Sequence, residues 1–154
     1  MPITLATLLL YLAGAGPAAP PGLEARLAPL ARAHKGQVAI AVKHLGSGES
    51  YYLHADRVMP TASLIKVAVM IEVYQQADEG KLELTDRVTL RDRDKVPGSG
   101  ILTYHFSEGT SFPVCDAVRL MIAFSDNTAT NLLLDKVGVA RVNKRMATWG
   151  FPET

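Results

Sequence analysis

The chain has 154 residues, of which 48% are hydrophobic, so it is long enough to form one ordinary domain with an apolar core. Its formal net charge is only +1, and basic residues alternate with acidic ones in the run Arg91-Asp92-Arg93-Asp94-Lys95. Proteins that bind nucleic acid carry clustered basic residues, so the composition excludes nucleic acid as a partner.

The N-terminal residues predict a secretory signal peptide. The segment from Ile3 to Ala15 is apolar and uncharged, is too short to span a bilayer, and ends in the small-x-small cleavage pattern Ala13-Gly14-Ala15. No Lys or Arg precedes this apolar segment, which departs from the usual pattern, and a buried N-terminal helix is the alternative. We expect residues 1–15 to be a signal peptide, residues 16–22 a linker, and the protein to be exported.

The next segment predicts an amphipathic helix followed by a β-hairpin. Over residues 23–35, apolar side chains recur at helical spacing in spite of Pro29. The β-rich run 38–42 and the second run 51–53 flank the turn residues Gly46-Ser47-Gly48, a pattern typical of two antiparallel strands.

The stretch from Pro60 to Met70 combines a turn signal with the beginning of an apolar helix. Residues three apart lie on one helix face, so the Ser63 hydroxyl and the Lys66 amine can meet as a nucleophile and its base. The unpaired N–H groups of a first helical turn can also donate to an oxyanion. Alone, however, a Ser-x-x-Lys pattern arises by chance in about half of chains of this length.

The helix that follows Ser63 is apolar on nearly every side at its beginning, and the apolar pattern ends at Asp78-Glu79-Gly80. A helix with so many apolar faces is predicted to be central to its domain. Residues 81–90 predict a connector or a short strand. Residues 96–102 form a glycine-rich loop, which lacks the spacing and the strand-loop-helix setting of a phosphate-binding loop.

A further apolar helix is predicted over residues 114–124, and it contains the single cysteine, Cys115. One cysteine cannot form an internal disulfide, so we interpret Cys115 as a buried small hydrophobe. The histidines occur singly, without the short spacing of a metal site, and we therefore expect neither a metal nor a cofactor. These histidines are His34, His44, His54 and His105.

A second polar motif, Ser125-Asp126-Asn127, precedes the apolar helical run 132–137. A Ser-Asp-Asn triplet is expected by chance in only about one chain in fifty. The same residue types are preferred helix N-caps, and a capping role is compatible with a catalytic one. Gly138 ends this helix, and residues 140–149 predict one more helix.

At these two motifs the chain resembles the penicillin-recognising serine enzymes, and most closely class A β-lactamases and related serine hydrolases. The resemblance rests on Ser63-Leu64-Ile65-Lys66 and Ser125-Asp126-Asn127, which begin 62 positions apart, and it runs from about Leu23 onward. It implies an α/β (α+β) fold of the β-lactamase/transpeptidase type. The implied parts are the N-terminal helix, the β-hairpin and most of the α-helical subdomain.

The resemblance also implies a role for each polar residue of the motifs. Ser63 would be the nucleophile, Lys66 the base that takes its proton, and Ser125 the proton donor to the leaving nitrogen. Asn127 would bind the amide of the substrate. We interpret Asp126 as structural at the site, because an aspartate in a turn can hold backbone N–H groups.

The implied function is hydrolysis of β-lactam antibiotics through a Ser63 acyl-enzyme, by a monomeric bacterial protein that is periplasmic or secreted. A loop at about residues 96–102 borders the active site in related enzymes, which implies that Ser99 and Tyr104 lie at the pocket rim. One alternative is a penicillin-binding D,D-peptidase that acts on peptidoglycan peptides. Another is a non-catalytic β-lactam sensor or a truncated fragment.

Two motifs of the family do not occur in this sequence, namely Lys-Thr-Gly and the Glu-x-x-Leu-Asn loop that carries the base for deacylation. We therefore expect residues 23–154 to be an incomplete catalytic domain without the C-terminal strands and helix, inactive or poorly folded by itself. The acylation base, Lys66 or a glutamate acting through water, stays open.

Overall fold

The computed structural model describes residues 21–154. The predicted signal peptide and most of the predicted linker therefore lie outside the described residues. The chain divides into two compact units, with the boundary between Arg57 and Val58. Within residues 21–154, no helix has both the length and the apolar character needed to cross a membrane.

The first unit is a helix with a two-stranded antiparallel hairpin. Helix α1 (Leu23–Ala33) includes Pro29 and ends two residues before the predicted boundary, because the backbone becomes extended at His34. Strands β1 (Ile40–Lys43) and β2 (Ser50–Leu53) form the predicted hairpin. None of the α1 side chains is fully buried, so this unit has little core of its own.

The second unit is mainly helical, and its longest helix, α2 (Ile65–Asp78), contacts three of the others. The prediction that this helix is central is confirmed. A 3₁₀ turn, Ala62–Leu64, leads into α2, so Ser63 lies just before the α-helix rather than in its first turn. The other helices are α3 (Leu102–His105), α4 (Val114–Ala123), α5 (Asn127–Val137) and α6 (Val139–Thr148).

Two short strands, β3 (Arg87–Thr89) and β4 (Ser111–Pro113), pair antiparallel in the second unit, with Val88 opposite Phe112. The segment that forms β3 was predicted as a connector or a short strand, whereas β4 was not predicted. A three-residue strand that ends in proline is too short to show an alternating pattern, so only its pairing with β3 defines it.

The core of the second unit lies where α2, α4 and α5 meet. On α4, buried apolar side chains recur every three or four residues from Val114 to Met121. Cys115 is only half-buried, which corrects its interpretation as a buried residue, because it lies one position off that apolar stripe. The largest fully buried apolar side chains of the unit include Val69, Val73, Leu90, Leu102, Met121 and Leu133.

Candidate active site

The turn that presents Ser63 has an unusual backbone. Ala62, directly before Ser63, has a left-handed φ of 45°. The N–H of Leu64 closes the turn by donating to the carbonyl oxygen of Thr61 at 3.0 Å. A left-handed conformation costs a residue with a Cβ atom about 1–2 kcal/mol. The surrounding structure therefore holds the Ser63 turn in a conformation that Ala62 would not adopt by itself.

Lys66, at the beginning of α2, places its charged end among four oxygen atoms. The residue is only 5% exposed. Its Nζ lies 2.7 Å from the carbonyl oxygen of Ser125, 2.8 Å from Ser125 Oγ, 2.9 Å from Asn127 Oδ1 and 3.3 Å from Ser63 Oγ. An ammonium has three N–H groups for these four acceptors. Ser63 Oγ, at the longest distance, accepts the weakest of these hydrogen bonds.

The Ser125 hydroxyl contacts both the Ser63 hydroxyl and the Lys66 amine. Its Oγ is 3.0 Å from Ser63 Oγ and 2.8 Å from Lys66 Nζ. Its backbone is also left-handed, with a φ of 51°. A hydroxyl both donates and accepts, so Ser125 can pass a proton between the two neighbours. The structure thus brings Ser63, Lys66 and Ser125 into one hydrogen-bonded cluster.

Asp126 uses both carboxylate oxygens on backbone N–H groups and is only 1% exposed. Its Oδ1 accepts from Ala129 N at 2.9 Å, which caps α5. Its Oδ2 accepts from Ile101 N at 2.6 Å and from Leu102 N at 2.9 Å. The capping bond explains why α5 begins at Asn127, five residues before the apolar run that predicted this helix.

Asn127 contacts the lysine and the glycine-rich loop at the same time. Its Oδ1 accepts from Lys66 Nζ, and its Nδ2 donates to the carbonyl oxygen of Pro97 at 3.3 Å. Its backbone N–H donates to the carbonyl oxygen of Ser99 at 3.0 Å. Ser99 therefore contacts this site through its backbone. Tyr104, on α3, is 63% exposed.

The glycine-rich loop is fixed against α5 by further bonds. Val96 N donates to Thr128 Oγ1 at 2.9 Å, and Thr103 Oγ1 donates to the carbonyl oxygen of Val96 at 2.8 Å. The two threonine hydroxyls are 2.7 Å apart. At Gly100, where φ is +118°, a Cβ atom would lie 2.6 Å from the Asp126 Cα atom. Only glycine lets the loop approach Asp126 this closely.

A cavity of about 320 Å³ opens beside these polar groups. Three lining residues, Val96, Thr130 and Asn131, were not predicted from the sequence as site residues. Thr130 and Asn131 follow Asn127 by three and four residues, a spacing that places them on its helix face and could have indicated them. Ser99 and Tyr104 are not among the lining residues. The cavity is lined by Ala62, Ser63, Ile65, Lys66, Val96, Asn127, Thr130 and Asn131.

The chemistry available at this cavity is that of hydroxyls, an amine and an amide. In the part of the chain that the structure describes, no three His, Cys, Asp or Glu residues are placed to hold a metal ion. A serine hydroxyl next to an amine and a second hydroxyl is an arrangement suited to nucleophilic attack with proton transfer. The geometry therefore favours acyl transfer by Ser63.

Comparison with known proteins connects this geometry with one family. The model of the beta-lactamase enzyme family matches residues 22–154. A beta-lactamase of Streptomyces cellulosae is 30% identical over 129 residues, which are 82% of this chain and 40% of that relative. The chain thus spans less than half the length of this curated relative.

Solved structures agree with the sequence match. The crystal structure of a beta-lactamase from Sphaerobacter thermophilus has a TM-score of 0.76 and 43% identity, and the match covers 82% of this chain and 47% of that one. A variant of PBP-A, solved as an acyl-enzyme complex with penicillin G, has a TM-score of 0.68 and 34% identity, with 73% of this chain and 42% of that one covered. The implied β-lactamase/transpeptidase-like α/β fold is confirmed. The chain belongs to the beta-lactamase enzyme family.

Proposed function

We propose that the protein is a serine hydrolase of the β-lactamase type, in which Ser63 forms an acyl-enzyme with a β-lactam. The observation that carries this proposal is the position of Lys66 Nζ, within hydrogen-bond distance of both Ser63 Oγ and Ser125 Oγ. The two hydroxyls are themselves 3.0 Å apart. Membership of the beta-lactamase family supports the choice of a cyclic amide as substrate.

The first step requires Lys66 as a free amine, which takes the Ser63 proton either directly or through the Ser125 hydroxyl. The Ser63 oxygen then bonds to the lactam carbonyl carbon, and the carbonyl electron pair moves to its oxygen. The backbone N–H of Ser63 would donate to the resulting oxyanion, as such donors do in other acyl-transfer enzymes.

In the second step, the electron pair of the oxyanion re-forms the carbonyl, the carbon–nitrogen bond of the lactam breaks, and the electron pair of that bond goes to nitrogen. Ser125 Oγ gives its proton to that nitrogen, and Lys66 replaces the proton on Ser125 over 2.8 Å. Asn127 Nδ2 has a second N–H beyond the one donated to Pro97, and it would bind a carbonyl of the substrate. Attack of water on the ester would then release the ring-opened acid and regenerate Ser63.

The test is labelling of the purified native protein with a penicillin, followed by intact-mass spectrometry. Ring opening releases no leaving group, so the expected product gains the mass of one whole penicillin. Ser63→Ala should abolish the gain. Ser107→Ala, the same substitution at an exposed loop residue, should keep it. Labelling that persists in Ser63→Ala would contradict the proposed nucleophile.

A penicillin-binding peptidase that acts on peptidoglycan peptides is the second candidate. The similarity to PBP-A, at 34% identity, favours it. Both candidates share acylation of Ser63, and they differ in the lifetime of the product. An adduct that hydrolyses within seconds supports the β-lactamase, whereas an adduct that persists for hours supports the peptidase or a β-lactam sensor.

We also propose that the protein is exported to the periplasm or outside the cell. This proposal rests on the apolar segment from Ile3 to Ala15 and its cleavage pattern. N-terminal sequencing of the native protein should find a mature chain that begins after Ala15. A mature protein that still begins at Met1 would defeat the proposal.

A further inference from the structure

We propose that Gln76 is a positioning residue for the Ser63 reaction, because it fixes the register of α2 along α5. In this role it would hold Lys66 in place against Ser125 and Asn127. The inference rests on the proposed function, since it names a residue that serves the same chemistry from the far end of α2. Gln76 does not contact the reacting groups.

Helices α2 and α5 are joined by side-chain hydrogen bonds at both ends. At the Ser63 end, Lys66 Nζ donates to Asn127 Oδ1 at 2.9 Å. At the far end, Gln76 Nε2 donates to the carbonyl oxygen of Val137, also at 2.9 Å. Both bonds join residues 61 positions apart in the sequence. The two helices therefore run in the same direction, with one register along a length of about 15 Å.

The far bond is buried and is held in one orientation. Gln76 is 5% exposed and Glu72 is 2% exposed. The Gln76 amide donates both to Val137 and to Glu72 Oε1, the latter at 2.8 Å. Glu72 Oε2 accepts from Arg145 Nε at 2.9 Å. The Gln76 amide nitrogen, both Glu72 carboxylate oxygens and the Val137 carbonyl therefore have partners inside the protein.

A shift of α2 along α5 would break this arrangement. The Val137 carbonyl is one of the last in α5, so it has no acceptor role within its own helix and depends on Gln76. A displaced Gln76 would leave its amide and the Val137 carbonyl buried without partners, which is strongly unfavourable. The interdigitated apolar side chains of the two helices also favour one register. The hydrogen bond adds a directional constraint to this packing, with a large cost for any slip.

Arg145, the third member of the cluster, joins a different pair of helices. Arg145 bonds to Glu72 and, at 2.7 Å, to Glu79 Oε1, and both of these bonds join α6 to the α2 segment. They do not reach α5. Gln76 is thus the member of this cluster that connects α2 and α5, the helices that carry Lys66 and Asn127.

The test compares two variants of the full chain at a temperature where circular dichroism shows both to be folded. Gln76→Met keeps an unbranched side chain of similar length and removes both amide bonds. Val142→Ala, the control, removes buried packing on α6 without touching the α2–α5 bond. The rate of acylation at saturating penicillin should fall about tenfold or more in Gln76→Met and stay near wild type in the control. The penicillin concentration for half-maximal rate should change little.

Crystal structures of the wild type and Gln76→Met give a second readout that does not need activity. The contacts of Lys66 Nζ with Ser125 O and Asn127 Oδ1, at 2.7 and 2.9 Å here, should lengthen in the variant. An unchanged α2–α5 register, or an unchanged acylation rate, would overturn the role of Gln76. A wild-type chain without Ser63-dependent labelling would instead defeat the proposed function, and the crystal structures would still decide the register.

Discussion

Gly100 shows how a residue without a side chain positions the candidate site. Its φ of +118° disfavours any residue with a Cβ atom, and that atom would lie 2.6 Å from Asp126 Cα. The close approach allows Asp126 Oδ2 to accept from both Ile101 N and Leu102 N. The shape of the loop and the position of the Ser-Asp-Asn motif therefore depend on each other.

We predict that Gly100→Ala lowers the free energy of unfolding by roughly 3 kcal/mol, because it combines backbone strain with a clash. Gly80→Ala is the matched control, since Gly80 also has a positive φ, of +67°, but no atom lies within 4 Å of its added Cβ. The control should lose only about 1 kcal/mol. Denaturant titration measures both values. Equal losses would show that the approach to Asp126 does not matter.

At the scale of helices and strands, the sequence patterns predicted those elements that depend mainly on residues close together in the chain. The hairpin and α2 follow from β-rich runs and from an apolar run that fades at Asp78, and both occur close to the predicted positions. The three-residue spacing of Ser63 and Lys66 likewise predicted their contact, which the structure contains at 3.3 Å.

Other features depend on partners far away in the sequence and were missed. Strand β4 exists through its pairing with β3, and three residues ending in Pro113 carry no pattern of their own. Thr130 and Asn131 line the cavity only because α5 begins at Asn127 and presents one face to Ser63. The role of the Gln76 amide could not be predicted, because its acceptor, the Val137 carbonyl, lies 61 positions away in the sequence.

At the scale of the whole molecule, ion pairs on the surface of the second unit make stability depend on pH. Hydrogen bonds from the Lys81 ammonium and the Arg145 guanidinium lower the pKa of Glu79. A carboxyl whose pKa is lowered by folding stabilises the folded state at pH values above its ordinary pKa. That contribution is lost as the pH falls through the lowered value, because the unfolded chain binds the proton first.

We predict that the melting temperature of the wild type falls as the pH is lowered from about 6 to about 3, and that it falls less in Glu79→Gln, which has no carboxyl to protonate. The difference should be small, since exposed ion pairs contribute little. Scanning calorimetry over a pH series measures it. Parallel profiles for the two proteins would mean that Glu79 does not contribute.

The left-handed backbone at Ala62 and Ser125 has a consequence for how such a protein changes under selection. Ala62, directly before Ser63, has a φ of 45°, and Ser125, which contacts Ser63, has a φ of 51°. Glycine at either position would relieve the strain, but at Ser125 it would also remove the hydroxyl that contacts Ser63 and Lys66, so stability and activity are in conflict at Ser125. A library screened for thermal resistance alone is therefore expected to accumulate glycine or asparagine at both positions, and at Ser125 this change removes a reacting hydroxyl. Screening for both properties together should retain Ser125 and place its stabilising changes elsewhere.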